Sequence, residues 1–339
     1  MINKLYAKIK KFIKEEWKTL LIYSLIILVS TYKFPYYIDA TGGMLDASKR
    51  VEIENSYKME GEFHMAYVNE MPATIPMMIV SLFNKDWDII PKEDVVSINE
   101  TVSEASTRGK LYLESTLSNA VYYAFKEAGL ETTITNKRVS ILYKTEESKT
   151  DLKIGDMINS INNNSVITFD NIGNELKKYK PGQKINLEVT DYNGKKKKRY
   201  AIISDDRKIG IIIKNLFDIK TDPKVEFTFQ NRESGPSGGL ITTLMVYNLL
   251  TEDDITNGQK IAGTGTIEED GTVGEIGGIK YKLAGVVKEK VDLFICPAGS
   301  NYEEAMKLKK ENNYDIKIIG VSTFEEALNY LNNEKRRNN

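Results

Sequence analysis

Polar and apolar positions divide the chain into stretches of different character. Leu20–Tyr32 is uncharged and almost wholly apolar, with no polar face. Leu240–Leu250 is also apolar, and Leu240, Ile241, Leu244, Met245 and Leu249 recur at the spacing of a buried helix. Gly61–Val68 alternates as a strand does, and Thr74–Phe83 also reads as a strand. Ser115–Ala128 predicts a helix with a serine/threonine start and a stop at Gly129, whereas Asn84–Arg108 is polar and reads as a long loop.

From Asn136 to Ile203 the pattern changes to short strands. Leu152–Asn162 alternates around a Gly155-Asp156 turn. A helix is expected over Phe169–Lys178 and a strand over Lys184–Thr190, and Asn193-Gly194 is a hairpin-turn signal. The basic run Lys195–Arg199 then reads as a solvated hairpin arm, or alternatively as a contact to lipid headgroups. Ile209–Ile213 and Val225–Phe229 are strand-like. Ile261–Ile267 leads to a turn at Glu269-Asp270-Gly271, and Val291–Cys296 reads as a buried strand.

At the start of the chain, Lys4, Lys8, Lys10, Lys11, Lys14 and Lys18 face only Glu15 and Glu16 before the apolar run begins. A cleaved signal peptide and an uncleaved anchor compete for this pattern; no small-x-small site directly follows the run, which favours an uncleaved membrane anchor over residues 19–38. Trp17 and the tyrosines would sit at the interfaces, and residues 1–18 would form a cytoplasmic basic segment. Everything after about Tyr37 would then lie outside the cell, as a single-pass protein of the cell membrane.

Composition narrows the chemistry. The 339 residues suffice for two or three domains. A net charge of −1, from 47 basic and 48 acidic residues, offers no case for nucleic-acid binding. The single cysteine, Cys296, reads as a packed thiol. The single histidine, His64, lies in the alternating run Glu62–Val68 without metal-ligand spacing around it. No metal or cofactor is expected, and no Gly-x-x-x-x-Gly-Lys-Ser/Thr loop is present for a nucleotide. Chemistry in this chain is expected to proceed without histidine.

One stretch stands out against that background. Gly235-Pro236-Ser237-Gly238-Gly239 presents a serine between small residues at the mouth of the Leu240–Leu250 helix. Free N–H groups at such a helix start favour negative charge, so a nucleophile there would face a ready oxyanion site. A Gly/Pro turn that happens to contain a serine is the other reading. With no usable histidine, a serine nucleophile needs another base, and a Ser–Lys dyad is a known solution. Lysine holds its proton to about pH 10.4 in water, and burial lowers that value.

Two family resemblances follow from these residues. The Leu152–Asn162 run resembles a PDZ domain, a module that binds peptide ends by adding a strand to a sheet edge. Its carboxylate-binding loop is expected near Asn136–Leu142. Pro236-Ser237-Gly238-Gly239 and Gly277-Gly278-Ile279-Lys280-Tyr281-Lys282 together resemble the proteolytic domain of Lon proteases, over about Ile209–Leu331. That resemblance implies Ser237 as nucleophile and Lys282, rather than Lys280, as its base. It places Thr264 near the lysine amine, with Pro236, Gly238, Gly277 and Gly278 in support. Many of these proteins carry an acidic residue three positions before the serine, where this chain has Ser234 beside Glu233.

The expected architecture is therefore α+β, with an N-terminal transmembrane helix and a PDZ-like β-rich domain (135–204) inserted in a Lon-type α/β proteolytic domain. Residues 40–134 would supply the first part of that domain, 205–333 the second, and 334–339 a polar tail. The order resembles membrane-anchored Lon-like PDZ proteins of Gram-positive bacteria. It implies an ATP-independent serine endopeptidase acting on exposed or unfolded protein segments, with a possible homo-oligomer. The alternatives are a non-catalytic scaffold that binds partners through its PDZ domain, and an enzyme that processes only itself.

Overall fold

A computed structural model of the chain describes residues 2–166 and 168–338. Its first element is one continuous helix, α1 (Ile2–Thr31), with the lysines up to Lys18 and the uncharged run after it. Among the described residues no helix is long and apolar enough to cross a membrane. As a helix, Leu20–Tyr32 extends only about 20 Å at ~1.5 Å per residue, against about 30 Å of hydrocarbon. This overturns the expected anchor over 19–38, and with it the single-pass placement at a cell membrane.

After α1 come β1 (Tyr36–Asp46), a short 3-10 turn (Ala47–Lys49), β2 (Val51–Ile53), β3 (Glu62–Pro72), α2 (Ile75–Ser81), β4 (Asp88–Pro91), α3 (Lys92–Val95) and α4 (Val102–Glu127). Two expectations fail here. Thr74–Phe83 forms a helix rather than a strand, because Pro76 lacks the N–H a ladder needs but suits a first helical turn. The supposed loop Asn84–Arg108 contains β4, α3 and the start of α4. A capping box explains that early start: the Thr101 hydroxyl accepts from the Glu104 N–H, and the Glu104 carboxylate accepts from the Thr101 N–H.

The middle of the chain supplies β5 (Thr132–Lys144), β6 (Met157–Ile161), β7 (Asn164–Ser165), α5 (Phe169–Leu176), β8 (Lys184–Thr190), β9 (Lys196–Ile202) and β10 (Ile211–Thr221). These strands form their own antiparallel sheet in the order β10-β5-β6-β8-β9, with β7 on β6. Its core joins Ile172 and Leu176 of α5 to Ile141, Ile161, Ile185 and Leu187. The stretch Asn136–Leu142 lies inside β5, an interior strand between β10 and β6, and so does not form a loop there.

The remaining elements are β11 (Val225–Phe227), α6 (Gly239–Leu250), β12 (Lys260–Gly263), α7 (Ile279–Lys288), β13 (Leu293–Pro297), α8 (Ser300–Asn312), β14 (Lys317–Val321) and α9 (Phe324–Asn338). A six-stranded sheet in the order β14-β13-β12-β3-β1-β4 joins both ends of the chain. Its seam is a parallel pair, β12 on β3, with Ile261 opposite Phe63 and Gly263 opposite Met65. β2 and β11 make a second such link, Val51 opposite Phe227. The core on one face joins Phe63 and Met65 to Tyr123 and Phe125 of α4 and to Leu240, Ile241 and Leu244 of α6. Both α6 and the apolar face of α7 lie against strands from the two halves of the chain, which puts the segments before and after residues 132–221 into one packed body.

Candidate active site

Helix α6 is mostly apolar and buried on nearly every side, with Thr242, Thr243 and Asn248 among its buried residues, so its N-terminus is held against the core. Gly238 is its N-cap, and Ser237 precedes it in a turn closed by the Gly239 N–H donating to Pro236 O (3.2 Å). Gly238 packs closely, and a Cβ there would lie 2.8 Å from Met65 Sδ of β3, so that side chain would have to move. Ser237 itself is half-buried. Its carbonyl accepts from two donors on the segment after β12: the Gly265 N–H at 2.8 Å and the Thr264 hydroxyl at 3.1 Å.

Thr264 also faces the other side of the site. Its Oγ1 accepts a hydrogen bond of 3.2 Å from Lys282 Nζ. Lys282 is one turn into α7, where its N–H donates to Gly278 O at 3.1 Å. Gly278 caps α7 in the left-handed region (φ +71°), which only glycine adopts without strain, and a Cβ would lie 2.7 Å from Val68 Cγ2. Gly277 has open space around it. The turn Gly277-Gly278 therefore sets where α7 begins, and so where Lys282 projects.

Lys282 is only 4% exposed. Burial pushes its amine down to about 8, since removing the ammonium from water favours the neutral form. Ile279, Leu283 and Val286 of the same helix lie in an apolar cluster with Ala262 and Phe294. Lys280 has a different setting. It is bonded to Asp88 of β4, which also accepts from the Tyr281 hydroxyl at 2.7 Å. Burial raises the Asp88 carboxyl, and the bonds from Lys280 and Tyr281 outweigh it, leaving that group below the usual carboxylate range.

The structure thus brings Ser237, Thr264 and Lys282 to one place, with Pro236, Gly238 and Gly278 shaping the backbone around them. His64 is elsewhere on β3, its Nε2 2.7 Å from Glu62 Oε2. The Cys296 thiol is buried in β13 and pushed up to about 12 by that burial. Three contacts were not foreseen from sequence: Gly265 on the Ser237 carbonyl, the Gly109 carbonyl of α4 accepting from the Gly235 N–H (2.9 Å), and Arg50 on Glu233. Gly109 had no visible signal, because the sequence pattern starts the helix only at Ser115. Arg50 had none.

Comparison with known proteins covers the stretch of chain that carries Ser237, Thr264 and Lys282. Residues 231–333 match the family described as the Lon protease (S16) C-terminal proteolytic domain. The chain is 32% identical to the Lon protease of Neorickettsia sennetsu over 98 residues, which are 29% of this chain and 12% of that protein. It is 27% identical over 137 residues to the Lon protease of Campylobacter jejuni, covering 38% of this chain and 17% of that protein. The Lon protease of Campylobacter concisus is 30% identical over 96 residues, 28% of this chain and 12% of that protein. The chain therefore spans a small part of the length of these relatives. The class this similarity indicates is serine peptidase.

Proposed function

We propose that this chain is a serine endopeptidase in which Ser237 is the nucleophile and Lys282 its general base. The observation that carries the reading is the buried Lys282 amine, lowered to about 8 and hydrogen-bonded to the Thr264 hydroxyl that in turn holds the Ser237 carbonyl. An amine with that value is neutral in a useful fraction of molecules near pH 8, where lysine in water is not. It would accept the Ser237 hydroxyl proton as Oγ attacks the substrate carbonyl, then return it to the leaving amine. Backbone N–H groups at the start of α6 would stabilise the oxyanion, and water would release the acyl group from Ser237.

Substrates on this reading are exposed or unfolded protein segments, and no step needs a nucleotide. The proteolytic domain would be formed by residues 40–134 together with 205–333, a division supported by the β12–β3 and β11–β2 pairs. Strands β5, β6, β8 and β9, to whose sheet β10 of the second proteolytic segment is added at the edge, would act as the PDZ-like module that recruits substrate. The test is cleavage of an unstructured protein by wild type, Ser237→Ala, Lys282→Ala and Lys280→Ala. The first two substitutions should abolish cleavage and the third should spare it. Unchanged cleavage by Ser237→Ala or Lys282→Ala would refute the mechanism, and equal loss in Lys280→Ala would refute the choice of lysine.

A further inference from the structure

Between β11 and α6 the chain approaches Ser237 without regular structure, and Asn231, Arg232 and Ser234 on this approach are exposed. Phe229 packs against the core, and beyond it hydrogen bonds do most of the work. Gln230–Glu233 is a turn closed twice: the Glu233 N–H donates to Gln230 O at 2.9 Å, and the Gln230 N–H donates to Glu233 Oε2 at 2.9 Å. Both oxygens of the same carboxylate take the Arg50 guanidinium, Nε on Oε2 at 2.9 Å and Nη2 on Oε1 at 2.7 Å. A two-pronged pair of this kind fixes direction as well as distance. It is also largely withdrawn from solvent, with side chains 15% and 9% exposed.

Arg50 is itself anchored. Its N–H donates to Ala47 O, its carbonyl accepts from the Thr228 N–H, each at 3.0 Å, and the Thr228 hydroxyl donates to Lys49 O at 2.8 Å. Two residues past Glu233, the Gly235 N–H reaches the Gly109 carbonyl. Ser234 passes directly over Gly109, and a methyl group on Gly109 would lie 3.0 Å from Ser234 Oγ. A short side chain suits position 234, and the acidic group of this segment stands one residue earlier.

We propose that Arg50 is a positioning residue for Ser237, acting through Glu233 to fix the approach to the nucleophile from its N-terminal side. The inference rests on the reading of Ser237 as the nucleophile. The C-terminal side has separate supports, Gly265 and Thr264 on the Ser237 carbonyl. Loss of the Arg50–Glu233 pair thus leaves α6 and the core in place and lets only the nucleophile turn wander. Misplacement on the order of 1 Å lowers reaction rates by about 10²-fold.

The experiment measures the rate at which a fluorophosphonate probe labels Ser237, by intact mass, together with kcat, KM and melting temperature. The proteins are wild type, Arg50→Ala, Arg50→Lys, Glu233→Gln and the reversed pair Arg50→Glu/Glu233→Arg. Labelling and kcat should fall about 10- to 100-fold in Arg50→Ala and Glu233→Gln, with KM nearly constant. Arg50→Lys, which keeps the charge without the fork, should fall between them and wild type. The reversed pair should recover most of the loss. Wild-type labelling rates in Arg50→Ala would overturn the proposal. So would a loss in every variant, the reversed pair included, that simply tracks the melting temperature. Wild type that is never labelled at Ser237 would remove the nucleophile reading, and this proposal with it.

Discussion

Lys282 and Thr264 meet across the site, amine to hydroxyl at 3.2 Å, with the amine sealed from water by α7 and the sheet beneath it. Hydrolysis should therefore follow the neutral form of Lys282. The rate kcat/KM on an unstructured protein is expected to rise with pH along a limb with an apparent pKa near 8, the value burial gives that amine. A flat profile between pH 7 and 9 would exclude Lys282 as the base.

The same burial has a stability consequence of definite sign. Below about pH 8 folded and unfolded chains both hold the proton, so the folded state bears the full penalty of an ammonium in an apolar site. Between there and about 10.4, the value for lysine in water, only the unfolded chain keeps it, so stability rises with pH across that window. Lys282→Met, similar in size and uncharged, should stabilise the fold by up to about 3 kcal/mol at pH 7 while abolishing activity. Urea unfolding at pH 7 and pH 10.5 checks it: the gain should shrink at the higher pH.

Thr264→Val keeps the shape of a fully buried side chain but removes its bonds to Lys282 and to the Ser237 carbonyl. A loss of about 1–3 kcal/mol in transition-state stabilisation is expected, roughly 5- to 150-fold in kcat. Thr264→Ser should recover most of it. Equal activity in the valine and serine variants would show that the hydroxyl is idle.

The two glycines before α7 should behave differently although they are neighbours. Gly278→Ala forces a side chain into the left-handed region and against Val68, and should lower stability by about 1–3 kcal/mol. Gly277→Ala meets open space and should change stability by less than about 0.5 kcal/mol. Thermal unfolding of the two proteins decides the point, and equal losses would contradict this account of the turn.

A fragment of residues 205–339 lacks β1, β2 and β3, leaving the edge of β12 and the underside of α6 uncovered. It should fail to fold alone, which amide dispersion in an NMR spectrum would reveal. Well-dispersed, cooperatively melting signals would argue that the first half of the chain is dispensable to the proteolytic domain.

What could be read from the sequence depended on how local the signal was. The α6 helix and β8 carry their causes within a few residues: an apolar run and an alternation. Thr74–Phe83 misled because its apolar residues suit a strand as well as a helix, and a single proline decides between them. The apolar run of α1 misled in another way: its uncharged core is short for a span, and flanking Trp17 and tyrosines do not make up the missing length. Arg50 was invisible because its partner is 183 positions away, and nothing in either neighbourhood announces the other. The proximity of Thr264 to Lys282 could be inferred only through family resemblance, for the same reason.

The two strands that begin and end the middle sheet run side by side, so that Thr132, where it is entered, is the cross-strand partner of Thr221, where it is left. The chain returns to within about 5 Å of its point of departure. Seen from the rest of the molecule, the whole excursion has the footprint of a hairpin turn. Residues can be gained, lost or exchanged within it without altering the span the flanking segments must bridge. A gene encoding this chain could thus trade that module for another, or for a short turn, while the ends of the seam stay aligned.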